Sequence, residues 1–332
     1  GSSTTTLLVS DGGTIGVGDT SGNMSISKAE LQNITASTLT IGGSSGTGNI
    51  TVDNLVTANT GNISATLALV TNSNISFSSN ASAFTPGMDV DAGGTIAIDV
   101  GLTGTTFDID GTGVTTIASA GDINASGAVA FGAAKSGTLT TSGDIDTSND
   151  NITFTRAVTL GGNVDIDTTG GSAGNILFSA AIATGGNNLA LDAGTAGNVT
   201  LSGALTGGGA MTVRDGAAQS YAALTLTSLT ISDATTSVTL GGALTTDAAA
   251  SITSGGTIVQ NAALTAGTTL TLNAEGGVDL NQNVTSAGAT VVDTDTGDDG
   301  TGDFDLAASK AFTTTNNTLQ ITSNDIILAG TL

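Results

Sequence analysis

Three consecutive stretches decide the fold: NITFTRAVTLGGNVDIDTTGGSAG at 151–174, NILFSAAIATGGNNLALDAGTAG at 175–197 and NVTLSGALTGGGAMTVRDG at 198–216. Their starts lie 24 and then 23 residues apart. Inside each, apolar residues alternate with small or polar ones, the period of two that marks a strand with one buried face. Gly, Asn, Asp and Ser separate the runs as turn formers. A unit of this size carries too little apolar surface to fold alone, so its recurrence implies stacked coils that share one core.

The register extends outward from these stretches. Phe107, Val129, Ile152, Ile176 and Val199 recur at steps of 22, 23, 24 and 23, and Ile109, Phe131, Phe154, Phe178 and Leu201 follow two residues later at the same steps. Val158, Ile182 and Leu205 form a third column, and Ile166, Leu191 and Val213 a fourth. The expected architecture is all-β, a right-handed parallel β-helix of about 22–25 residues per coil with three short strands in each. Coils stacked at about 4.8 Å would turn every column into a ladder of touching apolar side chains.

Composition agrees. With 49 Gly, 3% aromatic residues, no Trp and one Tyr (Tyr221), the interior must be narrow. Pro86 is the sole proline, as expected where nearly every backbone N–H donates to a neighbouring strand. SKAELQN at 27–33 predicts one helical turn at a corner, and no other helix is expected. The repeats favour a single continuous solenoid over 1–332, of roughly 14 coils and about 65–70 Å in length at the ordinary strand spacing. Two stretches interrupt the pattern and are expected as enlarged corner loops, SSNASAFTPGMDVDAGG at 78–94 and VVDTDTGDDGTGDFDL at 291–306.

The chain has 28 acidic and 5 basic side chains, a formal charge of −23. Nucleic acid is excluded as a partner, because phosphate contacts need clustered cations and Lys28, Lys135, Arg156, Arg214 and Lys310 are scattered. An anionic membrane surface is disfavoured for the same reason. No apolar run approaches the roughly 18 residues of a spanning helix, so no membrane insertion is expected. No basic-plus-apolar leader is evident at the start. The absence of cysteine, with so much Thr, Ser, Asn and Gly, fits an extracellular or bacterial cell-surface protein that does without disulfides. Neither TTTLLVSDGGTIGVG at 4–18 nor NTLQITSNDIILAGTL at 317–332 reads as a polar cap. The expected partners are therefore further coils of the same chain, or copies of itself end to end.

Strands opened by Gly-Asn-Ile, Gly-Asp-Ile or Gly-Asn-Val recur at Gly48, Gly61, Gly121, Gly143, Gly174 and Gly197, with G-G-x-[IVL] turns between them. This pattern resembles the repetitive shafts of filamentous-haemagglutinin-like bacterial surface adhesins. The resemblance implies a β-helical shaft that projects from a cell surface or forms an extracellular filament, acting in adhesion to a host or neighbouring cell. The family's N-terminal secretion domain has no counterpart in this segment.

Catalysis finds little support, and no enzyme is expected. Without His there is no imidazole base and no Ser-His-Asp arrangement. The pairs Asp108 with Asp110, Asp144 with Asp146 and Asp165 with Asp167 sit two apart on strands, which places both carboxylates of each on the solvent face. Gly207, Gly208 and Gly209 read as a corner, since no lysine and no helix follow. Calcium is the more serious possibility: Asp293, Asp295, Asp298, Asp299, Asp303 and Asp305 put six carboxylates within 13 residues, enough for the six to eight oxygens that Ca²⁺ takes. The spacing matches neither the EF-hand nor the nonapeptide calcium roll, and a flexible acidic loop is the bland alternative.

Sequons at Asn23, Asn33, Asn49, Asn62, Asn74, Asn80, Asn124, Asn151, Asn198 and Asn283 arise automatically where an Asn turn precedes alternating Ile and Thr or Ser. Thr-x-Thr pairs at 138, 153, 225 and 269 are separated by 15, 72 and 44 residues, which does not suggest one threonine position per coil. The expected function is a structural shaft. An S-layer or matrix protein, or a calcium- or glycan-binding surface module, is the alternative; a sugar-binding module would want exposed aromatics, and Tyr221 and the eight Phe fall mostly in core phase.

Overall fold

The short alternating runs become strands of mostly three or four residues, and in most of them the larger apolar residues face inward. Ile152 and Phe154 are fully buried on either side of half-buried Thr153. The computed structural model describes residues 3–132, 137–169 and 174–332. The chain is an all-β parallel β-solenoid of about 13 turns, with three parallel sheets contributing one strand each per coil. It divides into two compact units, Gly1–Val164 and Asp165–Leu332.

In the first unit the first sheet runs through Thr4–Leu7, Ala36–Gly43, Ile63–Thr71, Gly87–Ala92, Phe107–Gly111, Val129–Phe131 and Ile152–Phe154. The expected columns are in register: Phe107 pairs with Val129 and Val129 with Ile152, while Ile109 pairs with Phe131 and Phe131 with Phe154. The rings of Phe131 and Phe154 stack in parallel at 5.3 Å. Burying each such side chain contributes about 1.5–3 kcal/mol.

The third side begins differently. The helix Lys28–Gln32 stands where a strand would, capped by Ser27, whose side chain accepts the Glu30 N–H while Glu30 reaches back to the Ser27 N–H. A second short helix, Thr57–Thr60, which the sequence pattern did not suggest, packs on the first. Strands follow at Ser82–Ala83, Leu102–Gly104, Ile123–Ala125 and Ile145–Thr147. In the second sheet, Met24–Ile26 pairs with Ile15, Gly16 and Val17 along the edge opposite Thr47–Asp53. Met24–Ile26 is thus the edge strand of the second sheet. The 78–94 stretch stays within the sheets through Ser82–Ala83 and Gly87–Ala92.

Within the second unit the coil settles to a constant length. Leu224, Leu244, Leu264 and Val284 pair in sequence along the second sheet at a constant step of 20 residues, fewer than the 22–25 expected. The step then lengthens to 26 between Val278 and Phe304, where 294–302 leave the sheets, to 28 between Val284 and Phe312 and to 29 between Thr290 and Leu319. Gly207, Gly208 and Gly209 all take positive φ, as a corner requires.

The corners also explain the Gly-Asn-Ile motif. Asn49 Oδ1 accepts the Asn74 N–H at 3.3 Å, and Asn74 Oδ1 accepts the Thr95 N–H at 2.8 Å. Asp122 Oδ1 likewise accepts from Asp144 N–H at 2.9 Å, Asn175 from Asn198 at 2.8 Å, and Asn198 from Ala218 at 3.1 Å. Each side chain satisfies the amide that opens the next coil, where the ladder would otherwise leave a donor unpaired. The sequons at Asn49, Asn74 and Asn198 are such caps.

Candidate functional site

The acidic corner between Thr290–Asp293 and Asp303–Leu306 holds the densest group of carboxylates near one another. Asp295 turns inward and is 8% exposed. Its Oδ1 accepts the Asp299 N–H at 3.1 Å and its Oδ2 the Gly300 N–H at 2.9 Å. Exposed Asp299 accepts from the Thr301 N–H and hydroxyl at 3.1 and 2.6 Å. Carboxylate oxygens of Glu275, Asp295 and Asp299 lie within 4.8 Å of one another.

Glu275 was not among the six residues singled out by sequence. It lies 20 residues before Asp295, one coil back, so the 20-residue step would have aligned them. Its Oε2 accepts the Thr296 hydroxyl at 2.8 Å. The other four do not join the cluster. Asp293 ends its strand between Asn273 and Thr322, and Asp298 is exposed at φ 54°. Asp303 accepts from Asn324 at 3.3 Å, and Asp305 lies beside Asp279 on the first sheet. Partial burial, and then the Asp305 charge, push the Asp279 carboxyl up.

The chemistry of this corner is all-oxygen, the kind a hard divalent cation such as Ca²⁺ prefers, and Glu275, Asp295 and Asp299 would be its ligands. Both oxygens of Asp295, however, already hold backbone N–H donors of the same loop. The cluster therefore accounts for the shape of the corner without requiring a cation.

Two arginines organise further carboxylates elsewhere. Arg214, just after Ala210–Val213, forks onto Asp165 with Nη1–Oδ2 at 2.8 Å and Nη2–Oδ1 at 2.7 Å. It also reaches Asp192 at 3.0 Å and Asp167 at 3.5 Å. One guanidinium thus serves three carboxylates, and no Asp167–Asp192 contact is left bare, as a simple one-per-coil ladder would predict. The fork to Asp165 holds the guanidinium above its ordinary range. Neighbouring Asp215 is pushed up by burial and then by the charges of Asp192 and Asp233.

Arg156 is the buried counterpart, 4% exposed. Its Nη1 donates to Thr115 Oγ1 at 3.0 Å, and its Nη2 to the Ile109 carbonyl at 3.4 Å and Asp110 Oδ1 at 3.5 Å. Nε has no hydrogen-bond partner among the described residues. Burial, more than the opposing charges of Asp110 and Asp108, lowers its pKa. The side chain passes Gly132, where an added Cβ would come within 2.2 Å of Nε. Asp110 is consequently buried at 5%, not on the solvent face with Asp108. The alternation breaks there because the strand is entering a corner and a cation waits inside it.

Asp108 pairs with Asp89 across the first sheet in an open groove floored by Met88 and edged by Thr66, Thr105 and Thr106. Partial burial, then Asp110 and Asp89, push the Asp108 carboxyl up. Lys28 binds Asp19 at 2.7 Å and Lys310 donates to Gln282 at 2.9 Å, while Lys135 lies outside the described residues. No described helix is long and apolar enough to cross a membrane. No family model matches this sequence, and comparison with curated proteins and with solved structures returned no significant match.

Proposed function

We propose that this chain is a structural β-solenoid segment, the shaft of a large secreted or cell-surface bacterial adhesin or extracellular filament, acting in adhesion or cell-cell contact. The observation that carries the reading is the coil-on-coil ladder, in which backbone amides, corner Asn and Asp side chains and inward apolar columns are all used to attach each coil to the next. A fold built this way transmits position and load along its stack. Two of its cations, Arg156 and Arg214, are taken up in ties between coils.

The role is tested in two steps. Pulled by its termini in a force spectrometer, the protein should lengthen in increments matching one to a few coils of about 20–28 residues, each residue adding about 3.5 Å. One global rupture at low force would remove the load-bearing role. Antibodies raised against the folded chain should label intact source cells without permeabilisation, and labelling only after permeabilisation would remove the surface location.

A further inference from the structure

In the second unit, the outward position of the second sheet is occupied by Thr206, Thr225, Thr245, Thr265, Thr285 and Thr313 in six successive strands, after Ala183 in the first. All six are exposed. The strand register is continuous from Thr225 through Thr245, Thr265 and Thr285 to Thr313. The Thr-x-Thr spacing did not suggest this array, because the aligned threonines lie one coil apart rather than two residues apart.

Strand propensity favours Thr at such a position, and Thr–Thr neighbours stabilise a ladder. The same pressure acts on the other two sheets of the unit, yet their outward ladders diverge. The first passes through Thr239, Val259, Asp279 and Asp305, and the third through Thr230, Ser251, Thr271 and Val291, with Asp165 and Asp167 at its start. Only the second sheet keeps one side chain and carries no charged residue at the outward position. Across 221–228, 241–249, 261–269 and 281–289 the single charge is Asp247, at the corner.

On a chain of net charge −23, this segregation decides what can approach. Two copies brought together by either of the other sheets would oppose carboxylates, whereas two threonine faces meet without like-charge contact. Each hydroxyl is both donor and acceptor and each methyl is apolar, so the face is complementary to itself. We propose that the threonine face of Asp165–Leu332 is a lateral contact surface whose occupant is the same face of a second copy. The inference is independent of the adhesive role. Six threonines at about 4.8 Å per coil make a contact roughly 24 Å long and narrow, which places the association in the weak, reversible class.

Sedimentation velocity on the full chain tests this over a range of protein concentrations and at about 0.05 and 0.5 M salt, which brackets strong and weak screening. The weight-average sedimentation coefficient should rise with concentration, and rise further in high salt as general repulsion is screened. T245E/T265E, confirmed folded by circular dichroism, should abolish the rise, because it sets carboxylates opposite carboxylates. A control in neighbouring strands of other sheets, T239E/S251E, should keep most of it. A wild type that stays monomeric across the range overturns the proposal without any variant. So does association that T245E/T265E leaves unchanged, or that the control lowers equally. Growth-shape changes in ice crystals by a monomeric wild type would assign the face to ordered water instead.

Discussion

Arg156 in the first unit and Arg214 in the second solve the same problem in opposite surroundings. Each follows an inward-facing strand, and each reaches carboxylate or hydroxyl partners 41–49 residues back, beyond the adjacent coil. Arg214 keeps contact with water and makes a short, planar fork at 2.7 and 2.8 Å. Arg156 is sealed inside, with Asp110 Oδ1 at 3.5 Å and, among the described residues, no acceptor for Nε. Geometry is better where burial is less, and energetic weight goes the other way. An exposed fork exchanges water for carboxylate at little net gain, whereas a buried guanidinium leaves desolvated acceptors behind if removed.

The comparison breaks first at Arg156. Replacement by Met should cost about 3 kcal/mol in urea unfolding, since the Ile109 carbonyl, Thr115 and Asp110 lose a buried donor. A cost under about 1 kcal/mol would mean that the apolar stem, which Met retains, carries the interaction. Gly132→Ala comes next, at about 2 kcal/mol, from positive φ and from the collision with Nε. In the Arg156→Met background that cost should fall to the backbone part, about 1 kcal/mol. Equal costs in both backgrounds would show that the two residues are uncoupled.

Arg214→Ala should cost about 1 kcal/mol and shrink as salt is added, because its fork is partly exposed. A loss of several kcal/mol, insensitive to salt, would put it in the class of Arg156. The smallest effect is expected where two carboxylates lie side by side, at Asp279 beside Asp305. Asp279 has a raised folded pKa, so the folded state binds the proton more readily than the unfolded chain does. Stability should therefore rise as pH falls from neutral through that raised value. Asp279→Asn should flatten this part of the profile and slightly raise the thermal midpoint at neutral pH. An unchanged profile would show that neither burial nor Asp305 is felt there.

Some of this was legible in sequence because it is local. Alternation over three residues decides which face of a strand is wet, so Phe107, Ile109, Phe131 and Phe154 could be placed inside without any knowledge of their neighbours. Of the acidic corner, the sequence located the loop and two of its three clustered carboxylates, Asp295 and Asp299, but not Glu275. The missing residue sits on another coil, and finding it requires the 20-residue step of the second unit. The helix at Lys28–Gln32 announced itself through the helix formers of SKAELQN, while Thr57–Thr60, TANT, is poor in them.

What the sequence determined by itself is therefore the repeating element: a short strand, a Gly or Asn corner, a buried aliphatic column, three strands to a coil. What only the tertiary structure decided is which coil positions meet. The step between paired strands varies from 9 residues, Ile15 to Met24, to 35, Ile15 to Ile50. Corner length sets that step, and corners are chosen by backbone geometry rather than by hydrophobic period. For that reason the Asp110–Arg156 and Asp165–Arg214 ties, the Asn caps and the threonine ladder come into view only once the coils are stacked.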